Sequence, residues 1–80
     1  MSAKEMFEEL GYEQEKIGEQ LIYSKTNEKT EVEYQFIFYL DDKTFEAATD
    51  SSIYVNDITL EELQAINKQV EELKWNERWI

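Results

Sequence analysis

Residues 31–40 read Glu-Val-Glu-Tyr-Gln-Phe-Ile-Phe-Tyr-Leu, and their alternation decides the fold. Val32, Tyr34, Phe36, Phe38 and Leu40 fall on one side of an extended chain, and Glu31, Glu33, Gln35, Ile37 and Tyr39 on the other. Strand side chains alternate between faces, so this period of two, rich in aromatic and β-branched residues, predicts a strand with one apolar face.

The period continues on both sides. Upstream, from Gln20, Leu21 and Tyr23 share a face, and Thr26-Asn27-Glu28-Lys29 has the composition of a turn. Downstream, Asp41-Asp42-Lys43 turns the chain into residues 44–49, where Phe45 and Ala47 alternate with Thr44, Glu46 and Ala48. A turn centred on Asn27 and Glu28 would pair Tyr23 with Val32 and Leu21 with Tyr34. One centred on Asp42 and Lys43 would pair Leu40 with Phe45 and Phe38 with Ala47. Both sets place apolar opposite apolar on one face, as cross-strand pairs must. The expectation is a three-stranded antiparallel meander. Residues 50–52 are a further turn signal, and residues 53–55 read either as a short fourth strand or as a connection. Residues 12–18 are polar, contain Gly18, and are expected to be loop.

Helices flank the strands. Ser2 with Glu5 three residues on is a capping box, in which each side chain bonds the other residue's backbone N–H. Ala3, Met6, Phe7 and Leu10 follow at helical spacing, and Gly11 suits the left-handed position that ends a helix, so the first helix is expected over residues 3–10. Thr59 and Glu62 form a second capping box, with Ile58 and Leu63 at the positions of a hydrophobic staple. Leu63, Ile66, Val70 and Leu73 are the expected buried stripe. Glu61, Glu62, Gln64, Lys68, Gln69, Glu71 and Glu72 are the expected wet face. Whether this helix continues through Trp79 is left open by the pattern. The order α-β-β-β-(β)-α makes an α+β domain, an antiparallel sheet with helices on one face.

Composition narrows the chemistry. The chain has 80 residues and a formal net charge of −11. That charge argues against direct contact with nucleic acid or anionic lipid, where Lys and Arg neutralising phosphate dominate affinity. There is no histidine and no cysteine. The Ser-His and Cys-His nucleophile systems and the usual zinc sites are therefore absent. With two glycines and no nucleophile elbow or phosphate-cradling loop, no catalytic, metal or cofactor residue is expected. No apolar run suggests a signal peptide or a membrane span, so the expected location is the cytoplasm.

The two ends of the chain carry a resemblance. Residues 3–12, Ala-Lys-Glu-Met-Phe-Glu-Glu-Leu-Gly-Tyr, and residues 60–75, Leu-Glu-Glu-Leu-Gln-Ala-Ile-Asn-Lys-Gln-Val-Glu-Glu-Leu-Lys-Trp, look like the beginning and the ending of a group of small phage and prophage proteins of Gram-positive bacteria. Members of that group often carry Gly between the final Leu and Trp, where this chain has Lys74. The resemblance implies a phage or prophage origin and a place in the host-cell cytoplasm. It implies no reaction and no site residue, because the group has no known function.

Two surfaces are the candidates for contact. Ile22, Ile37, Tyr39 and Ala48 lie on the sheet face opposite the aromatic one, and Trp75 and Trp79 lie off the helix stripe. These would meet a protein partner, or the tryptophans would cap the core instead. Asp41, Asp42, Glu46, Asp50 and Asp57 are the most acidic stretch, readable as solvated turns, as metal ligands lacking the required spacing, or as a mimic of DNA phosphates. The expected function is a non-enzymatic, protein-binding phage accessory protein. The alternatives are an acidic nucleic-acid mimic that inhibits a host DNA-binding enzyme, and a structural homodimer. The chain is expected to be a monomer or a weak homodimer.

Overall fold

The computed structural model describes residues 1–49 and 57–75. The elements run α1 (Ala3–Glu9), β1 (Glu13–Ile17), β2 (Gln20–Thr26), β3 (Glu33–Tyr39), β4 (Thr44–Thr49) and α2 (Leu60–Glu72). The sheet is four-stranded, with antiparallel neighbours in the order β1-β2-β3-β4. The α+β class and the meander are as expected.

The fourth strand is not where the sequence suggested one. It is β1, inside the stretch expected to be loop, and residues 53–55 lie outside the described residues. The cause is the turn that follows. Gly18 has φ 57°, and Glu19 is not among the positive-φ residues. A two-residue loop with positive φ at its first position is the type II′ hairpin turn, whose twist matches paired strands. Ile17 opposite Gln20 closes the hairpin.

Register also differs from the expectation, while the faces agree. Tyr23 lies opposite Phe36 and Leu21 opposite Phe38; Phe38 lies opposite Phe45 and Phe36 opposite Ala47. Each shift is an even number of residues, so the apolar face survives. The longer loops cause the shifts. In residues 27–32, Asn27 Oδ1 accepts from the backbone N–H of Lys29 (2.9 Å) and Thr30 (3.3 Å). Glu31 takes φ 61°, and the Asn27 N–H donates to the Val32 carbonyl at 2.9 Å. In residues 40–43, Lys43 takes φ 58° and donates its N–H to the Tyr39 carbonyl at 2.8 Å.

Both helices pack on the aromatic face. Phe7, Tyr12, Leu21, Tyr23, Phe36, Phe38, Ala65 and Ile66 form one buried cluster. Phe7 stacks on Tyr23 with ring centroids 3.9 Å apart. Both capping boxes form as expected. The Ala3 N–H, left without a partner inside α1 by the geometry of helix starts, donates to Glu72 Oε2 at 2.9 Å and ties the beginning of α1 to the end of α2. Gly11 ends α1 at φ 94°, where a Cβ would meet Lys25 Cδ at 3.2 Å. At the other end of the chain Lys74 takes the left-handed position, φ 62°, which glycine adopts more readily.

Candidate functional site

Of the apolar stripe expected on α2, Ile66 is buried and Val70 and Leu73 pack against the core, but two polar residues share that inward side. Glu62 (8% exposed) and Gln69 (5%) are buried beside Ala65 and Ile66. Leu63, expected in the stripe, is 45% exposed, and Leu60 is 65% exposed. The helix is therefore rotated about its axis relative to the apolar pattern. Two tyrosine hydroxyls from the sheet side explain the rotation. Tyr12 OH donates to Glu62 Oε2 at 2.5 Å, and Tyr23 OH donates to Gln69 Oε1 at 2.5 Å while accepting from Gln14 Nε2 at 2.9 Å. Glu62 Oε1 accepts the Thr59 N–H at 2.9 Å, so both carboxylate oxygens are engaged. A buried polar group is tolerated only when hydrogen-bonded, and each of the two tyrosine hydroxyls finds a partner on α2.

Titration follows from this seam. Burial, and next the hydrogen bond to the Glu62 carboxylate, push the Tyr12 hydroxyl well above the ordinary tyrosine range. Burial also raises Tyr23, against a lowering from the hydrogen bond that Gln14 donates. Lys25 Nζ sits 4.6 Å from the centre of the Tyr12 ring and donates to the Leu10 carbonyl at 3.3 Å. A shallow hollow of about 210 Å³ lies beside it, lined in part by Tyr34, Asp57 and Glu62. Tyr12, Lys25, Asn27 and Thr59 complete its lining.

The outward side of the same helix start is apolar. Ile58 (42% exposed), Leu60 and Leu63 stand in water within six positions of sequence. Ile58 and Leu63 hold the two staple positions, yet both remain exposed. Sequence pattern missed this shelf, because Leu63 fits a stripe with Ile66 and Val70 equally well on paper. The available signal was Tyr12 and Tyr23, two hydroxyls on a core face that required polar partners.

The candidate residues named from sequence are dispersed. Ile22 is 8% exposed, held between Glu15 and Ile37 in the middle of the sheet, and cannot be the contact expected of it. Ile37, Tyr39 and Ala48 are half-buried on the face opposite the helices. Exposed Ile17 shares that face, which the pattern did not include. Trp75 is half-buried and packs on the core, its ring 6.0 Å from Phe38, as a cap. Trp79 lies outside the described residues, and α2 ends at Glu72.

The acidic stretch is not one patch. Asp41 and Asp42 are exposed in the turn after β3, whereas Asp57 lines the hollow with Tyr34 at the start of β3. The run from Tyr34 to Tyr39 separates them by roughly 17 Å, at about 3.4 Å per residue. Glu46 accepts the Tyr39 hydroxyl at 2.7 Å, which raises the tyrosine's pKa. Asp50 lies outside the described residues. Among the described residues no group of three or more His, Cys, Asp or Glu could hold a metal ion, and no helix is long and apolar enough to cross a membrane.

No protein-family model, curated protein or solved structure matches this chain.

Proposed function

We propose that this chain is a phage or prophage accessory protein that acts by binding another protein rather than by catalysis. One observation supports this reading above the others: α2 buries Glu62 and Gln69 and leaves Leu60 and Leu63 in water. Exposed single apolar residues are ordinary, but Ile58, Leu60 and Leu63 are exposed within six positions, which favours a surface for a partner. The cluster lies on a rigid element with a satisfied cap, so its geometry is set before a partner arrives. The phage origin rests on the resemblance of the two ends.

The acidic-mimic alternative is less favoured by the geometry, because Asp41 and Asp42 stand at one end of the sheet and Asp57 at the other. Pull-down from a Gram-positive host lysate separates the readings. Leu60→Asp with Leu63→Asp should lose the captured protein, while Tyr39→Glu keeps it. Capture should persist at about 1 M salt, where the Debye length is about 3 Å. A partner that is shed by salt and kept by the double variant would instead support mimicry. Sedimentation across a concentration series tests the homodimer alternative.

A further inference from the structure

The outer edge of β1 has the backbone pattern and the charge of a docking edge. All five residues of β1 are exposed, and β1 is an outermost strand of the described sheet. The Leu40 N–H donates to the Glu19 carbonyl at 2.8 Å. In an antiparallel ladder hydrogen-bonded pairs alternate, so Leu21 and Tyr23 turn their backbone groups towards β3, and Gln20, Ile22 and Ser24 turn theirs towards β1. Their partners Ile17, Glu15 and Glu13 are thereby engaged, and the N–H and C=O groups of Gln14 and Lys16 point outward. The two-residue hairpin at Gly18 and Glu19 requires the same alternation.

The side chains choose the occupant. Glu13, Glu15 and Ile17 lie on the face away from the helices, at the positions where an added antiparallel strand would bring its side chains closest. A second copy is a poor fit. The register that uses Gln14 and Lys16 of both copies sets the two Glu15 residues opposite each other, with Cα atoms about 4.5 Å apart. Each copy also carries a net charge of −11. At the Glu13 end of β1 lies a polar hollow of about 300 Å³, lined by Gly11, Glu13, Ser24, Lys25, Thr26 and Glu33. Lys25 is turned to the Leu10 carbonyl and the Tyr12 ring.

We infer that β1 accepts an extended basic segment of a partner protein as an added antiparallel strand, with cationic side chains opposite Glu13 and Glu15 and an apolar one opposite Ile17. Main-chain bonds to Gln14 and Lys16 supply affinity, and the alternate side chains supply specificity. The cation opposite Glu13 stands at the mouth of the hollow. This surface is separate from the α2 shelf, and its test does not depend on the partner proposed there.

The probe is a capped peptide, Thr-Val-Thr-Arg-Thr-Arg-Thr, with a control carrying Glu for both Arg, titrated into the full chain while backbone amide exchange is followed by NMR. At saturation the Gln14 and Lys16 amides should exchange about tenfold more slowly, the protection of one added hydrogen bond. The Glu13, Glu15 and Ile17 amides should not change, and the control peptide should have no effect. Lys16→Pro removes an outward N–H at an edge, where proline is tolerated, and should abolish the protection. If that variant does not fold, Glu15→Lys tests the same contact through charge and should abolish it too. Leu60→Asp with Leu63→Asp should leave the protection intact, so failure at β1 and failure at the shelf are told apart. Unchanged Gln14 and Lys16 exchange with the Arg peptide, or equal protection by the Glu peptide, overturns the inference.

Discussion

Two polar and two apolar residues of α2 stand on the side opposite to the usual one, while Ala65, Ile66, Val70 and Leu73 still pack inward. Inward, Glu62 and Gln69 meet Tyr12 and Tyr23; outward, Leu60 and Leu63 meet water. Hydrophobic burial alone would turn Leu63 to the sheet, a gain of about 1.5–3 kcal/mol for a fully buried leucine. Two tyrosine hydroxyls left without partners in the core would cost about 1–3 kcal/mol each. The two effects are of the same order, so the hydroxyls can hold the helix in the orientation observed. The lesson is that a few buried polar atoms can turn an amphipathic helix so that some of its leucines stay in water.

Several substitutions sharpen that contrast. The largest effect belongs to the apolar floor that both helices share. Phe7→Ala should cost about 3–5 kcal/mol in urea unfolding, because Phe7 is fully buried and stacked on Tyr23. A cost below about 1 kcal/mol would mean that α1 does not rest on the sheet as described.

The seam comes next. Glu62→Leu should lose about 2–3 kcal/mol, because it strands the Tyr12 hydroxyl and removes half of the capping box. Adding Tyr12→Phe should recover part of the loss, since removing both partners is cheaper than removing one. Strict additivity of the two changes would show that the pair is not coupled.

Alkali probes the same seam without mutation. Unfolded tyrosines ionise near pH 10, while Tyr12 and Tyr23 in the fold keep their protons to higher pH. The stability linked to these raised values is whole below about pH 10. It falls above that pH, by about 1.4 kcal/mol per pH unit for each tyrosine, until the folded values are reached. Urea midpoints measured from pH 9 upward should therefore decline, and Tyr12→Phe should flatten the decline. An equal slope in Tyr12→Phe would contradict the burial of that hydroxyl.

Much of the fold was legible in the chain. Residues 31–40 gave the face of β3, and the Ser2–Glu5 and Thr59–Glu62 boxes gave both helix starts, because those signals are local. What was missed depended on partners far along the chain or on fine turn geometry. The Gly18 and Glu19 pair is a hairpin turn, yet polar Glu13, Gln14, Glu15 and Lys16 hid a strand that is exposed throughout. The registers slipped because Asn27 and Lys43 support longer loops than the tightest turns assumed. Glu62 and Gln69 look like surface residues until Tyr12 and Tyr23, far away in sequence, are brought beneath them. The shelf at Ile58, Leu60 and Leu63 was invisible for the same reason. Burial of Ile22 depends on the flanking strands, one of which the sequence did not reveal.

The smallest expected effect is also the most direct test of the central claim. Leu60→Ser with Leu63→Ser should cost only about 1–2 kcal/mol in urea unfolding, because the two side chains are 65% and 45% exposed. A loss of about 4–10 kcal/mol, about 2–5 for each of two core leucines, would place these side chains inside and contradict the exposed shelf.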